Sequence, residues 1–384
     1  MQKKQNSQKT MAIIVAGGPA PGINGIISAA TIEAINNGMR VIGILDGFKW
    51  IAEGDKSKIV ELDVNRVSRI HYDGGSILGT SRYDLKSCSD KINNVSRIIQ
   101  ELGIDYLLSI GGGGTLAAVW ELERLSKGAL KIVHVPKTID NDLPLPEKVC
   151  TFGFQTAREE GFNIVKNIMV DAKTTGRWYF IVTMGRSAGH LALGISKAAG
   201  ATLAIIGEEF KDDKVRLSTV CNILEGSIIK RLANGKTYGV AVLAEGLALK
   251  LDPADLKDIE NVEKDNSGNI RLSEIDLGGM LKNEVKKRLK KKGLDITVVD
   301  KNIGYELRCA APIPFDIEYT KDLGYGAVKF LMNNGTNAMV SLVGGKIKPL
   351  YFENLIDPDT GMAETRMVNI YTESYEVARK YMIR

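Results

Sequence analysis

The chain has 384 residues, of which 44% are hydrophobic and 25% are charged, which excludes a fully disordered or fibrous protein. The 51 lysines and arginines exceed the 46 aspartates and glutamates by only five, which is too small an excess to indicate a nucleic-acid-binding protein. No apolar run approaches the roughly 18 residues that a transmembrane helix needs, so we expect no membrane partner.

The four cysteines are scattered along the chain, at Cys88, Cys150, Cys221 and Cys309, and no pair shows CxxC spacing. The polar opening, residues 1–10, leads into an apolar run that stops at residue 16, which is too short for a signal peptide. These two features predict a protein of a reducing compartment, and we expect a cytoplasmic location.

As far as Pro136, the chain alternates short β-branched apolar runs with segments of helical periodicity. The predicted helices end in glycines, at Gly38, Gly103 and Gly128, which fits left-handed C-terminal caps. The pattern predicts strands at 11–16, 40–45, 106–110 and 131–136, and helices at 23–38, 90–103 and 116–128.

The same alternation begins again after residue 150. It predicts strands at 179–184, 202–207 and 238–244, and helices at 154–172, 187–200 and 215–233. Residues 250–275 are polar and poor in large apolar groups, so we expect a surface excursion there. A further helix with a narrow apolar stripe and a basic outer face is predicted from the four-residue spacing of Leu277, Leu281, Val285 and Leu289.

Strands that are apolar throughout and alternate with helices predict parallel sheets that are covered by helices on both faces. We therefore expect an α/β protein of two domains. The larger domain would comprise residues 1–150 and about 315–365, and the smaller one residues 151–314 and about 366–384. In such sheets ligands bind at the carboxyl ends of the strands, where the unusual motifs of this chain lie.

Two glycine-rich turns each connect a predicted strand to a predicted helix. In residues 16–24 (AGGPAPGIN), backbone N–H groups can face an anion at the helix N-terminus, although such a turn can equally be a tight corner. Residues 111–115 contain four consecutive glycines and a threonine. Four glycines lose much conformational entropy on ordering and contribute no packing, so the close approach of a phosphate chain explains them better.

Residues 136–142 (PKTIDND) follow directly after the strand at 131–136 and gather a cation, a hydroxyl and two carboxylates. Phosphoryl transfer needs this mixture, because a base accepts the proton of the attacking hydroxyl and a cation faces the transferred group. The competing interpretation is a capping turn, since Asp and Asn are ordinary turn residues. The position after a strand and the adjoining Lys137 favour the chemical interpretation.

Further charged side chains follow other strands and turns. Arg186, in residues 183–193 (TMGRSAGHLAL), lies near a helix N-terminus, where a cation is unfavourable unless an anion binds there too. Glu245 follows the strand at 238–244, Arg308 ends residues 304–308 (GYELR), and Arg82 follows a glycine turn. The three histidines show no metal-ligand spacing, so we predict no zinc site.

Taken in order, GGPAPG, GTSR, GGGGT, PKTIDND, MGR, AEG and GYELR resemble the motifs of the phosphofructokinase family, from about residue 11 to the C-terminus. Residues 304–327 look most like the pyrophosphate-using branch. The resemblance implies two Rossmann-like, three-layer domains with mostly parallel sheets and the active site in the cleft between them. It also implies that pyrophosphate, or alternatively ATP, gives a phosphoryl group to the 1-hydroxyl of fructose 6-phosphate, with Mg²⁺ as cofactor.

The resemblance also implies roles for individual residues. Asp140 would be the general base with Thr138 beside it, Asp142 would support Asp140 and the metal, and Arg186 would act on the transferring group. Arg177 would serve the site of a neighbouring subunit, which implies a homodimer or homotetramer. Glu245 would bind sugar hydroxyls, and residues 305–308 would bind the sugar-phosphate end. The substrate-binding residues so implied are Thr138, Ile139, Asp140, Arg177, Met184, Gly185, Arg186, Glu245, Tyr305, Glu306, Leu307 and Arg308.

The donor would face a second set of residues, namely Gly18, Arg82, Gly112, Gly113, Gly114, Thr115 and Lys137. In the family pattern, an aspartate associated with magnesium stands where this chain has Gly113. Pyrophosphate users usually carry a second aspartate at the position of Gly114, where ATP users carry glycine. Lys137, by contrast, is the residue that pyrophosphate users place against the donor. The donor signals in this chain therefore conflict.

Three hypotheses follow. An active phosphofructokinase is supported by the acceptor-side motifs. A catalytically weak regulatory subunit that binds a sugar phosphate is supported by Gly113, although a pure sensor has no need of the base Asp140. A relative of the NAD or lipid kinases would share a glycine-rich loop, but those kinases lack PKTIDND and MGR.

Overall fold

The computed structural model describes residues 8–83, 85, 89–255 and 275–384. The chain separates into two compact units, each made of several segments. Unit 1 comprises Met1–Ile139, Leu143–Thr156 and Arg308–Thr365, and unit 2 comprises Asp140–Asp142, Ala157–Leu307 and Arg366–Arg384. Cys88 and most of the excursion predicted at 250–275 lie outside the described residues.

The described residues form strands and helices in close alternation. The strands are β1 Thr10–Val15, β2 Arg40–Ile44, β3 Ile59–Glu61, β4 Tyr106–Gly111, β5 Lys131–Pro136, β6 Trp178–Thr183, β7 Leu203–Ile205, β8 Gly239–Ala244, β9 Val298–Ile303, β10 Ala338–Val343 and β11 Lys346–Tyr351. The helices are α1 Ile23–Asn36, α2 Lys49–Ala52, α3 Val64–Val67, α4 Ser89–Glu101, α5 Gly113–Ser126, α6 Phe154–Thr175, α7 His190–Ala199, α8 Leu217–Ala233, α9 Leu247–Lys250, α10 Leu277–Lys291, α11 Tyr305–Arg308, α12 Pro314–Met332 and α13 Glu373–Lys380.

The sheet of unit 1 has the strand order β11-β10-β5-β4-β1-β2-β3. The strands from β10 to β2 are parallel to their neighbours, and only the edge strands β3 and β11 pair antiparallel. Alternate residues of β1 enter two different cores, since Met11 and Ile13 pack with α1 and α12, while Ala12 and Ile14 pack with α4 and α5. Unit 1 therefore has the predicted three layers, with helices on both faces of the sheet.

The sheet of unit 2 has the order β7-β8-β6-β9, and all of its described pairings are parallel. On one face, Trp178 and Phe180 pack with α8 and α10, and α7 packs against β7 and β8. The apolar stripe predicted for α10 is confirmed, because all four of its members are buried: Leu277, Leu281, Val285 and Leu289. The predicted α/β class with mostly parallel sheets is thus confirmed.

The units divide at slightly different residues from those expected for the domains. Residues 151–156 and 308–314, expected in the smaller domain, belong to unit 1. Asp316, which is fully buried in α12, ties residues 153–156 to this unit by accepting hydrogen bonds from the backbone N–H groups of Gly153 (2.9 Å) and Thr156 (2.8 Å). A second difference is that Asp140–Asp142 clusters with unit 2, although it was expected within the larger domain.

Local expectations held where the sequence pattern was strong. The predicted cap glycines Gly38, Gly103 and Gly128 have φ of 77°, 60° and 82°, as left-handed caps require. The pattern missed β3, β9, β10 and β11, of which β3 has only three residues and β9 and β11 carry charged side chains. None of the described helices combines the length and the apolar character needed to cross a membrane.

Candidate active site

The first glycine turn follows β1 and is fixed to residues 79–82 by backbone contacts. Gly17 has a φ of 89°, and its N–H donates to the carbonyl oxygen of Ser81 (2.9 Å). The hydroxyl of Thr80 donates in turn to the carbonyl oxygen of Gly17 (2.8 Å). Because a φ of this sign favours glycine, the sequence at this turn is determined by the backbone shape as well as by any ligand.

Three cations surround this turn. A Cβ atom on Gly18 would lie 3.3 Å from Nη2 of Arg82 and 3.5 Å from Cζ of Arg308. Lys137 is 3% exposed, and its ammonium group donates to the carbonyl oxygen of Gly18. Such a group of cations beside a side-chain-free turn is suited to a phosphate or pyrophosphate anion.

The four-glycine segment continues from β4 into α5, with Gly112 as the N-cap residue. Packing requires only Gly111, where a Cβ atom would lie 2.2 Å from Cβ of Thr115. At Gly113 the nearest atom would be 3.8 Å away, on Leu143, and at Gly114 no atom lies within 4 Å. The absence of side chains at Gly113 and Gly114 therefore leaves the N-terminus of α5 open to an anion rather than relieving a clash.

Two buried polar residues, Ser109 and His134, form hydrogen bonds next to the four-glycine segment. Ser109 and His134 are opposite each other in the register of β4 and β5, and the Ser109 hydroxyl lies 2.8 Å from Nδ1 of His134. His134 Nε2 donates to the carbonyl oxygen of Gly111 (3.0 Å), which also accepts from the N–H of Lys137 (2.8 Å). Burial lowers the pKa of His134 to about 3, so its imidazole is neutral.

The MGR turn after β6 has an unusual backbone. Gly185 has a φ of 152° and Arg186 a φ of 25°, a region that residues with a side chain rarely adopt. The N–H groups of Gly185 (3.1 Å) and Arg186 (2.8 Å) both donate to Oε1 of Glu245. Glu245 therefore holds the backbone of the Arg186 turn in this conformation.

Residues 10–331 match the profile of the phosphofructokinase family. The chain belongs to this family. It is 52% identical over 379 residues to the pyrophosphate–fructose 6-phosphate 1-phosphotransferase of Thermotoga maritima, a match that covers 97% of this chain and 90% of that protein. It is 47% identical over 384 residues to the protein of the same name from Naegleria fowleri, covering 98% of this chain and 88% of that one.

Among solved structures, the pyrophosphate-dependent phosphofructokinase of Marinobacter aquaeolei superposes with a TM-score of 0.72 at 17% identity, covering 97% of this chain and 90% of that one. At this identity the likeness shows a shared fold. Membership of the phosphofructokinase family confirms the resemblance seen in the motifs. It also removes the third hypothesis, a relative of the NAD or lipid kinases.

The candidate site residues that the phosphofructokinase motifs predict are found in both units. Unit 1 holds the donor set together with Thr138, Ile139 and Arg308, and unit 2 holds the rest from Asp140 onward. Arg308, expected in the smaller domain at the sugar-phosphate end, is thus grouped with Gly18 and Arg82.

The surroundings of several predicted substrate-binding residues restrict how they can contact a substrate. Leu307 is fully buried, which removes its side chain from contact with a substrate, whereas Tyr305 is 66% exposed. Glu306 is exposed and accepts a hydrogen bond from the N–H of Gly304 (3.1 Å). Met184 is buried and packs at Gly304, where a Cβ atom would lie 2.8 Å from its Cε.

The residues fit a magnesium ion that is held mainly by other ligands. Within the described ranges, no three or more His, Cys, Asp or Glu side chains are grouped so that they could hold a metal ion. Gly113 supplies no carboxylate, and Asp142 belongs to unit 2. Mg²⁺ commonly binds through substrate phosphates, water and only one or two carboxylates, so an ion here would be held mainly by phosphate oxygens and water.

Proposed function

We propose that this phosphofructokinase transfers a phosphoryl group from pyrophosphate to the 1-hydroxyl of fructose 6-phosphate, giving fructose 1,6-bisphosphate and phosphate. The observation that carries the proposal is the convergence of Lys137, Arg82 and Arg308 on the Gly17–Gly18 turn. The names of the Thermotoga maritima and Naegleria fowleri relatives, at 52% and 47% identity, support pyrophosphate as the donor.

In the proposed mechanism, pyrophosphate lies against the two glycine turns of unit 1. The cations beside Gly18 offset the negative charge that the leaving phosphate gains as the bond to the transferred phosphorus breaks. Lys137 is buried and fixed by its bond to the Gly18 carbonyl, so it is already oriented before the donor binds. A bound Mg²⁺ would add positive charge on the pyrophosphate oxygens.

On the acceptor side, the oxygen of the 1-hydroxyl attacks the phosphorus of the transferred phosphoryl group, and Asp140 takes the hydroxyl proton. A positioned general base of this kind typically contributes 10²–10⁴-fold to the rate. Arg186 binds the sugar phosphate or the transferring group from a backbone that Glu245 holds in place. Asp142 would support Asp140 and would offer a carboxylate ligand to a bound Mg²⁺.

Two observations favour alternatives to this donor and this activity. The space around Gly114, with no atom within 4 Å of a Cβ atom there, leaves room for a nucleotide and supports ATP as donor. The lack of a carboxylate at Gly113 supports a weakly active regulatory subunit that binds the sugar phosphate. Both alternatives give distinct results in the same assay.

We also propose a homodimer or homotetramer in which Arg177 serves the site of a neighbouring subunit. Arg177 lies immediately before β6 and is half-buried, and its Nε has no hydrogen-bond partner in the described structure. Loss of sugar-phosphate affinity in Arg177→Ala, with the oligomer intact by light scattering, would support this role. The scattered cysteines support a cytoplasmic location.

The test is a coupled assay of fructose 1,6-bisphosphate formation with Mg²⁺ and either pyrophosphate or ATP, together with calorimetric titration of fructose 6-phosphate. We expect turnover with pyrophosphate. Turnover with ATP but not with pyrophosphate would show that ATP is the donor. Binding of fructose 6-phosphate without turnover from either donor would favour the regulatory subunit.

A further inference from the structure

We propose that Arg366, which none of the sequence motifs includes, is a positioning residue that fixes the Asp140–Asp142 segment and so aims the Asp140 carboxylate. The inference rests on the proposed function, in which Asp140 is the proton acceptor. Arg366 lies more than two hundred residues from this segment in the sequence, yet both belong to unit 2.

The contacts between the two form a clamp. The N–H of Arg366 donates to the carbonyl oxygen of Asp142 (2.8 Å). Its guanidinium donates from Nε and from Nη2 to the carbonyl oxygen of Asn141, each at 3.1 Å. Nη2 also donates to the side-chain oxygen of Asn141. A single arginine thus holds three acceptors on the two residues that follow Asp140.

The segment needs such support because it lies outside any helix or strand. Asn141 has a φ of 57°, in the left-handed region that Asn tolerates better than most residues. Residues Ile139 and Leu143, on either side of the segment, cluster with unit 1, while the segment itself clusters with unit 2. Arg366 supplies donors to two of the backbone carbonyl oxygens of this segment from a distant part of the chain.

Arg366 is itself anchored. His190 Nε2, at the start of α7, donates to the carbonyl oxygen of Arg366 (3.0 Å). The N–H of Val368 donates to Oε1 of Glu208 (3.0 Å), and the same oxygen accepts from the N–H of Gly189 (2.8 Å). The segment at Asp140 is thereby tied to the helix that follows the Arg186 turn.

The geometry requires arginine in particular. A planar guanidinium can direct Nε and Nη2 at one carbonyl oxygen while Nη2 also reaches a side-chain oxygen, whereas the single ammonium nitrogen of lysine cannot reproduce this fork. A displacement of about 1 Å at a catalytic group can lower the rate by about 10²-fold. We therefore expect the loss of Arg366 to reduce kcat and not the affinity for either substrate.

The first test compares Arg366→Ala and Arg366→Lys with Arg379→Ala, a control at an exposed arginine of α13 in the same C-terminal segment. We expect kcat to fall about 10–100-fold in both Arg366 variants, with KM for both substrates nearly unchanged. The control should match the wild type. An unchanged kcat, full restoration by lysine, or a loss confined to KM would overturn the proposal.

A second test separates positioning from general destabilisation. Since Arg366 acts through Asp140, adding Arg366→Ala to Asp140→Asn should lower kcat little further. A fully additive loss would mean that Arg366 acts in some other way.

Hydrogen exchange tests the clamp without any turnover. Amides of residues 140–142 should exchange faster in Arg366→Ala than in the wild type, and those of Arg379→Ala should not. Equal exchange would overturn the clamp. An inactive wild type with faster exchange in the variant would leave the clamp standing and contradict only the proposed function.

Discussion

In unit 1 the candidate site is mostly backbone: Gly17, Gly18 and residues 112–114 carry no side chains, and cations surround the first turn. In unit 2, by contrast, side chains form hydrogen bonds to the backbone of the candidate site: Glu245 fixes the Arg186 turn, and Arg366 fixes the segment at Asp140. The first arrangement is suited to binding a phosphate chain of high charge. The second is suited to holding reacting groups in a defined geometry. Changes in unit 1 should therefore act chiefly on donor binding, and changes in unit 2 chiefly on kcat.

The largest effect should come from unit 2. Asp140→Asn removes the proton acceptor but keeps the size of the side chain, so kcat should fall by about 10²–10⁴-fold. Affinity for fructose 6-phosphate, measured by calorimetric titration, should survive. Asp295→Asn, at an exposed aspartate of the same unit, serves as the control. A near-normal kcat in Asp140→Asn would show that another group takes the proton.

Arg308 has two competing assignments. The family resemblance assigns it to the sugar phosphate, while the structure groups it with Gly18 and Arg82 at the proposed donor site. A lost charge-assisted hydrogen bond corresponds to about 1.5–3 kcal/mol, or roughly 10–150-fold in affinity. We expect Arg308→Ala to raise KM for pyrophosphate by this factor, with Arg124→Ala as an exposed control in unit 1. A rise confined to KM for fructose 6-phosphate would instead assign Arg308 to the sugar phosphate, as the family resemblance implies.

The buried His134, which donates to the carbonyl oxygen of Gly111, should make the stability of the folded protein depend on pH. Its pKa is about 3 in the folded protein, and an unfolded histidine titrates near 6.5. Below about pH 6.5 only the unfolded chain takes up this proton, so the folded state loses stability as pH falls from about 6.5 to 3. By pH 5 the loss is about 2 kcal/mol.

Urea unfolding at pH 7 and pH 5 measures this loss as the change in the free energy of unfolding. In His134→Gln, which keeps an N–H donor for the Gly111 carbonyl, the change between the two pH values should be smaller by about 2 kcal/mol. An identical change in both proteins would contradict the pKa shift of His134.

The smallest effect should come from restoring the family carboxylate. The nearest atom to a Cβ atom on Gly113 would lie 3.8 Å away, so in Gly113→Asp a Cβ atom can be added there without a clash. We expect a lower Mg²⁺ requirement and a higher kcat, because the carboxylate adds a metal ligand. Gly113→Ala is the control for backbone effects and should change neither. Turnover that Gly113→Asp fails to improve would show that the ion is held in some other way.

A related change tests donor choice. A Cβ atom on Gly114 has no neighbour within 4 Å, so the side chain in Gly114→Asp would point into open space at the N-terminus of α5. Added to Gly113→Asp, it should suppress any use of ATP by crowding and repelling the nucleotide phosphates, while pyrophosphate turnover survives. Retained ATP turnover in the double variant would place the nucleotide elsewhere.

The sequence was sufficient where a feature depended on local pattern. The apolar strands, the cap glycines and the glycine turns were predictable because periodicity and φ requirements act over a few residues. The contacts of Arg366 with Asn141, and of Ser109 with His134, join distant parts of the chain and were not foreseen. For the latter pair a signal existed, since each is a lone polar residue in an otherwise apolar strand core and β4 is parallel to β5.

The most direct test of the central claim is the ratio of kcat/KM for pyrophosphate to kcat/KM for ATP, measured with saturating fructose 6-phosphate and Mg²⁺. ³¹P NMR should show fructose 1,6-bisphosphate and phosphate forming in equal amounts from pyrophosphate. We expect a ratio well above one, because the cations at Gly18 and the buried Lys137 favour a compact anion. A ratio below one, or no product from pyrophosphate, would contradict it.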